Sequence, residues 1–225
     1  MHIDMDAARQ FWNARYAQGL VYGTEPTSVA PHIADIFHTA RVRSLLEAGC
    51  GSGRDALFYA REGFQVTGID LSDEAIAQAR AWAVREGLVL SFIAGDLLIA
   101  DLQIGAFDAV AAVHVIHLHT EQHRSAIIDR IWHATKLGGL VACANYSTEE
   151  AGFSTWQMGP ERNTRIDPRG KLVHFFDEQE IRNLFSPTRF DLLKCEQVEL
   201  AEKPDSGSVV HREWLVIAQK INLSG

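Results

Sequence analysis

Between Leu45 and Asp70 the chain reads LLEAGCGSGRDALFYAREGFQVTGID, and the groups there that can do chemistry are glycines and carboxylates. Gly49, Gly51 and Gly53 alternate directly after an apolar run that ends in Glu47-Ala48. Glycine lets a chain turn sharply and lets a ligand approach main-chain N–H groups with no Cβ in the way. Asp70 closes a second apolar run, where a carboxylate can accept hydrogen bonds from both hydroxyls of a ribose. Asp96, in the GDLL that follows a third run, is placed to meet an adenine amino group. A dinucleotide site would need GxGxxG, whose third glycine packs helix on strand. Here Arg54 holds that position, the spacing is ExGxGxG, and the pyrophosphate reading is opposed.

These groups need elements to hold them. Apolar runs of strand length at Val42–Ala48, Gln65–Ile69, Leu88–Ile93, Ala109–Val113 and Gly139–Asn145 alternate with helical patterns at Arg54–Arg61, Asp73–Arg85 and Glu121–Thr135. Nearly all-apolar strands separated by helices predict a parallel sheet covered on both faces. Two amphipathic segments come first: AARQFWNARYAQG, with Asp4 or Asp6 as its cap, and SVAPHIADIFHTA. After a last helix at Asp177–Phe185, RFDLLKCEQVEL and SVVHREWLVIAQK are joined by the turn-rich EKPDSG and predict an antiparallel hairpin. The expected fold is therefore α/β: a Rossmann-like, seven-stranded, mostly parallel sheet with the last strand inserted beside the sixth. Residues 1–41 hold the two amphipathic segments, and 42–225 are expected to form the main domain. The polar stretch Ser147–Lys171 is long for a structureless loop; it predicts a functional lid or an unrecognised element, and we take 147–176 as a substrate loop.

Bulk properties narrow the partners. The 225 residues are 47% hydrophobic and 22% charged, which suits one well-filled core. A formal net charge of −8 argues against nucleic acid as a partner. Cys50, Cys143 and Cys195 form no CxxC and read as reduced thiols of a cytoplasmic protein. The start MHIDMDAARQFW lacks the apolar segment of a secretory signal, and no apolar run reaches the roughly 20 residues that span a bilayer. Neither a nucleic acid nor a membrane is expected as partner; the oligomeric state is unspecified.

From Leu45 to Asn145 this set of motifs resembles the class I S-adenosylmethionine (SAM)-dependent methyltransferases. The resemblance implies SAM as cofactor, S-adenosylhomocysteine as product and a small-molecule methyl acceptor. It places Gly49, Gly51 and Gly53 at the methionine part, Asp70 at the ribose and Asp96 at the adenine, with Glu47 orienting the turn or meeting the amino group through water. Cys50, Arg54, Leu71, Leu97, Val113 and His117 are expected beside the cofactor. SAM carries a sulfonium and an ammonium but no phosphate, so an acidic rim suits it. FWNARYAQGLVYGTEP, GCGSGRDALFYAREG, HFFDEQEIRNLF and HREWLVIAQK further resemble the tellurite-resistance and thiopurine methyltransferase branch. That likeness implies an N-terminal cover made by Trp12, Tyr16 and Tyr22, and soft nucleophiles as acceptors: thiols, or selenium and tellurium oxyanions.

Catalytic groups are sparse. A thiolate or selenolate needs no strong base, whereas a hydroxyl does, and the candidates are His117, His174 and His211. The lack of an evident base favours the soft nucleophile; oxygen or nitrogen methylation, and a SAM-binding module without catalysis, are the alternatives. His114, His117, His119 and His123 are too scattered between loop and helix for a metal site, and none is expected. Arg162, Arg165, Arg169 and Lys171, with His211 and Arg212 if the hairpin folds back, form a local positive excess that would attract an anionic acceptor. The plain alternative is a solvated loop.

Overall fold

Successive residues of a strand point to opposite faces, and here both faces are apolar. On β1 (Ser44–Ala48), Leu45 packs with one core cluster, while its neighbour Leu46 packs with the other. The same split separates Ala109 and Ala111 from Val110 and Ala112 on β4 (Phe107–Val113). This is why the strands read as continuous apolar runs. The computed structural model describes residues 5–202 and 209–222.

The sheet also contains β2 (Gln65–Asp70), β3 (Ser91–Ala94) and β5 (Thr135–Tyr146). A small three-stranded sheet follows, of β6 (Gln157–Met158), β7 (Thr164–Ile166) and β8 (Leu172–His174). The last strands are β9 (Phe190–Glu202) and β10 (Val209–Lys220). Strand order in the main sheet is β3-β2-β1-β4-β5-β10-β9, so the final strand lies inside the edge strand as expected. β1 to β5 run parallel, and β10 is antiparallel to both β5 and β9. Most of the turn between β9 and β10 lies outside the described residues, as does the cap candidate Asp4. The order reverses between β1 and β4, and ligands of open α/β sheets bind beyond the carboxyl ends of the strands at such a switch.

The helices are α1 (Met5–Tyr16), α2 (Ala30–Thr39), α3 (Arg54–Arg61), α4 (Asp73–Glu86), α5 (Glu121–Ala134), α6 (Ala151–Thr155) and α7 (Glu178–Leu184). Local chemistry sets their ends. The Ser72 hydroxyl accepts the Ala75 amide at 3.1 Å to start α4, and Gly87 in the left-handed region ends it. The Leu88 amide then still donates to Ala83, which is why β3 begins at Ser91 rather than at Leu88. Asp177 and Glu180 form a reciprocal capping box on α7.

The stretch from 147 to 171 is not a plain loop. It holds the short α6 and most of the small sheet, in which Thr164 pairs with His174 and Ile166 with Leu172. Strands this short carry too little periodicity to be read from sequence. Phe176 donates its amide to Tyr146 O and accepts the Thr148 amide, fastening the small sheet to the carboxyl end of β5.

At the opposite end of the switch, Asp108 ties β4 to β1. Its carboxylate accepts from the amides of Arg43 and Ser44, both at 2.9 Å, and from Lys136 Nζ at 2.7 Å. Burial raises its pKa, but these donors win and hold the carboxyl well below the usual range. Asp108→Ala is expected to cost about 1 kcal/mol at neutral pH, a low value because the Lys136 end is solvated. A depressed native pKa contributes stability that is present above the unfolded value of about 4 and is lost as pH falls through the native one. Urea titrations should therefore show the difference between variant and wild type shrinking below about pH 4. A difference that stays constant into strong acid would contradict this account.

Candidate functional site

The turn after β1 is built on positive φ values: 69° at Gly49, 54° at Gly51 and 90° at Gly53. The amides of Gly49 and Cys50 donate to Ile69 O at 2.7 and 3.0 Å, hooking the turn onto the end of β2. Asp70 then takes the Gly51 amide on Oδ2 and the Ser72 amide on Oδ1, both at 2.8 Å. A Cβ on Gly49 would strike Val115, and one on Gly51 would strike the Tyr16 hydroxyl. Gly53 differs. Its Cβ would meet Leu57 Cδ1 at 2.9 Å and Ala79 Cβ at 3.0 Å, so it serves helix packing and does not line the cavity.

That cavity has a volume of about 490 Å³. Apart from Gly53, every residue expected at the cofactor lines it: Trp12, Tyr16, Tyr22, Glu47, Gly49, Cys50, Gly51, Arg54, Asp70, Leu71, Asp96, Leu97, Val113 and His117. Its floor is acidic. Glu47 is buried with Oε2 lacking a hydrogen-bond partner among the described residues, and burial, with Asp55 nearby, pushes its pKa up. Burial also raises Asp70, against the pull of the Ser72 and Gly51 amides. A buried carboxylate oxygen without a donor suits an ammonium group, and the glycine turn suits close approach by a ligand. Asp70 keeps lone pairs for hydroxyl donors beyond its two amides. These residues fit the aminoacyl sulfonium nucleoside that the resemblance implies. Burial pushes the Cys50 thiol well up, which makes it a packing residue and not a nucleophile.

The N-terminal segment is tied over this floor by polar contacts. Arg9 donates to Leu71 O at 2.7 Å, and Asn13 Oδ1 accepts from the Ser72 hydroxyl at 2.7 Å. Gln78 donates to Tyr16 O at 2.6 Å, and Arg54 donates to Tyr22 O at 3.0 Å. Asp55 accepts from both the amide and the hydroxyl of Thr27, at 2.6 and 2.7 Å. Trp12, Tyr16 and Tyr22 form a chain of ring contacts at 6.2 and 6.0 Å along the cavity wall.

The wall facing the cover is made of imidazoles around Tyr146. His117 stacks on Tyr146 with centroids 4.6 Å apart, and His211 stacks on it at 5.3 Å. Burial first, then His114 and Lys171, keep His117 neutral by lowering its pKa. His211 Nδ1 lies 3.3 Å from Glu150 Oε1, while Glu150 Oε2 accepts the Arg212 amide at 2.7 Å. The bond to Glu150 raises the His211 pKa, with Glu213 adding to it and burial and His114 opposing. A carboxylate only accepts, so the imidazole proton of His211 sits on Nδ1 and Nε2 is the basic nitrogen. His114, itself at a positive φ of 57°, places Nε2 2.7 Å from the buried Glu213. His174 lies elsewhere. It is buried against Phe176 beside Glu180, depressed to about 3 by burial, and does not line the cavity.

Of the four arginines expected at the acceptor, only Arg169 lines the cavity. Arg162 is exposed and paired with Asp177 at 2.9 Å, and Arg212 is paired with Glu199 at 2.9 Å. Arg165 lies 4.0 Å over the Phe153 ring and donates to Phe153 O. Sequence reasoning did not single out His114, Tyr146, Glu150 or Glu213 as site residues, whereas Lys171, counted in the basic stretch, lines the cavity. Glu150 and Glu213 gave no signal, because antiparallel register sets Glu213 opposite Tyr146 and brings Glu150 to His211.

Residues 45–139 match the family described as "Methyltransferase domain". A ubiquinone biosynthesis O-methyltransferase of Xanthomonas axonopodis pv. citri (strain 306) is 28% identical over 164 residues, 72% of this chain and 67% of that protein. The protein of the same name from Xylella fastidiosa (strain 9a5c) is 32% identical over 128 residues, 56% of this chain and 51% of that one. The chain thus spans between 51% and 67% of the length of these curated relatives. Among solved structures, the Burkholderia thailandensis 1,6-didemethyltoxoflavin-N1-methyltransferase with bound 1,6-didemethyltoxoflavin and S-adenosylhomocysteine has a TM-score of 0.75 at 20% identity, covering 99% of this chain and 92% of that one. TehB from Haemophilus influenzae has a TM-score of 0.64 at 17% identity, covering 94% of this chain and 66% of that one. At these identities the structural likeness is one of fold.

Removing the group that both shapes the turn and lines the cavity has a defined consequence. Asp70→Ala should weaken SAM binding by about 1–3 kcal/mol in calorimetry, and Asp70→Asn by less because it keeps an acceptor. Wild-type affinity in the alanine variant would mean that the nucleoside lies elsewhere.

Proposed function

We propose that this chain, a SAM-dependent methyltransferase built around the domain at residues 45–139, methylates an acidic hydroxyl, a phenol or an enol, on a small planar molecule. One observation carries the choice of oxygen: His211, on the cavity wall, is held through Nδ1 by Glu150 and so offers Nε2 as a base.

SAM, when bound, supplies an electrophilic methyl carbon and leaves as S-adenosylhomocysteine. The chain supplies the rest. Trp12, Tyr22 and Tyr146 give flat walls against which a planar acceptor lies. His211 Nε2 takes the hydroxyl proton, and the Glu150 carboxylate stabilises the imidazolium that results. His114 and Glu213, hydrogen-bonded to each other, hold the adjoining wall in place. The cover made by α1 and the Tyr22–Thr27 segment keeps water from the reacting atoms, and alignment of nucleophile with methyl carbon does most of the work.

Two curated relatives carry an O-methyltransferase name, which supports oxygen as the acceptor atom. The preference for thiols, selenium or tellurium drawn from sequence rested on the likeness to the tellurite-resistance and thiopurine branch and, more weakly, on the lack of an evident base, and the Glu150–His211 pair answers the second ground. The likeness to TehB is one of fold alone and does not carry the first. A non-catalytic SAM-binding module is disfavoured by a base set in the same cavity as the glycine turn.

A panel of phenolic, thiol, selenite and tellurite acceptors tests the reading. His211→Gln should lower kcat/KM with a phenol by about 10²- to 10⁴-fold, and with a thiol already ionised at the assay pH by less than about tenfold. With the phenol, kcat should rise with pH through a pKa above the ordinary imidazole value, because the neighbouring carboxylates Glu150 and Glu213 outweigh burial and the His114 charge. Unchanged phenol kinetics in His211→Gln would remove the base. Turnover of thiol or selenite alone would move the acceptor to a soft nucleophile.

A further inference from the structure

The cavity holds one ammonium that the chemistry above leaves without work. Lys171 half-emerges into it at the base of β8, with Nζ 5.0 Å from the Trp12 ring centroid. Among the described residues, no carboxylate lies within ion-pair distance of Nζ. Its position is fixed with care. Asp167 is buried, and its Oδ1 accepts the amides of Arg169 and Lys171 at 2.9 and 2.8 Å. The Asp167 amide donates to Lys171 O at 2.8 Å, and Pro168 with Gly170 at φ 83° completes a tight turn. Asp167 also pairs with Arg169 at 2.8 Å, so the guanidinium charge there is largely answered while that of Lys171 is not.

Burial, then the Arg169 charge, depress Lys171 to about 8, with Asp167 opposing and Arg15 adding to the fall. Holding such an ammonium in a partly desolvated wall is unfavourable until an anion arrives. Two anions could answer it: the carboxylate of the cofactor's methionine part, or a group on the acceptor. Location bears on the choice. Arg15 belongs to α1, which is tied to the residues just after Asp70, and it lies over Tyr22, whose carbonyl Arg54 holds at the glycine turn. Lys171 belongs to the small sheet fastened to the carboxyl end of β5, and its charge reaches His117 on the imidazole wall. Lys171 is thus carried by the sheet at the imidazole wall while its Nζ lies over Trp12 of α1, and the SAM-affinity measurement below separates the two assignments.

We infer that the acceptor carries a carboxylate, bound by Lys171 with Arg169 beside it, so that the substrate class is a hydroxylated aromatic acid. The hydroxyl part of this rests on the function proposed above; the carboxylate part does not. Two pairs of probes keep them apart: 3,4-dihydroxybenzoate with its methyl ester, and 4-mercaptobenzoate with its methyl ester. Calorimetry on the protein saturated with S-adenosylhomocysteine should show each acid binding at least about tenfold more tightly than its ester. Lys171→Met should erase that preference, and Lys171→Arg should retain it, with SAM affinity within about twofold of wild type in both. Equal binding of acid and ester by the wild type, or binding of neither below about 10 mM, would overturn the inference. So would a loss of about tenfold or more in SAM affinity in Lys171→Met, which would assign the ammonium to the cofactor. A preference for the acids without methyl transfer to oxygen would uphold the carboxylate and remove the oxygen reading.

Discussion

The Asp70 carboxylate, bound on one oxygen by the Gly51 amide and on the other by the Ser72 amide, is the contact on which the site depends. It lies between the turn that ends β1 and the cap that begins α4, and so fixes where two strand ends and one helix start meet. A buried carboxylate without donors would be costly; here the donors are main-chain groups that the strand ends leave unpaired. The consequence is a floor with acids at Glu47, Asp55 and Asp70 close together. Burial raises all three, and at Glu47 the neighbouring Asp55 and Asp70 charges add to it. Such a floor rejects phosphate and favours a cationic ligand.

The cover is governed by the residues that follow the turn. Arg54 and Asp55 open α3, and both reach outward to the N-terminal segment, at Tyr22 and Thr27. α1 is in turn anchored on Leu71, Ser72 and Gln78, immediately beyond Asp70. The N-terminal segment is therefore fastened to the residues that follow the same two strands whose ends line the cavity.

Two regions of the cavity lining carry different chemistry. Acids lie beneath the glycine turn, whereas three imidazoles gather around Tyr146 with Glu150 and Glu213 behind them. Glu150 raises His211, while burial lowers His117, so neighbouring rings of one type differ in readiness to take a proton.

The order of elements, the two-faced sheet and the inserted last strand were all legible in the sequence. Strand periodicity is local, and the turn, Asp70 and Asp96 lie within or just after the strands that place them. Cofactor candidates from Trp12 to His117 meet in one cavity, and only Gly53 is turned to packing. The wall around Tyr146 was less legible. Arg162, Arg165, Arg212 and His174 resemble Arg169 and His211 in type and neighbourhood, yet they lie in surface pairs, on an aromatic ring or in the core. What separates them is whether they lie on a three-residue strand or in the turns that flank it, and the register of β10 against β5, set by contacts between segments some 65 positions apart, as Tyr146 and Glu213 are. Pairing over that span is decided by packing of the finished sheet, because no local preference of a short polar strand is strong enough to choose it.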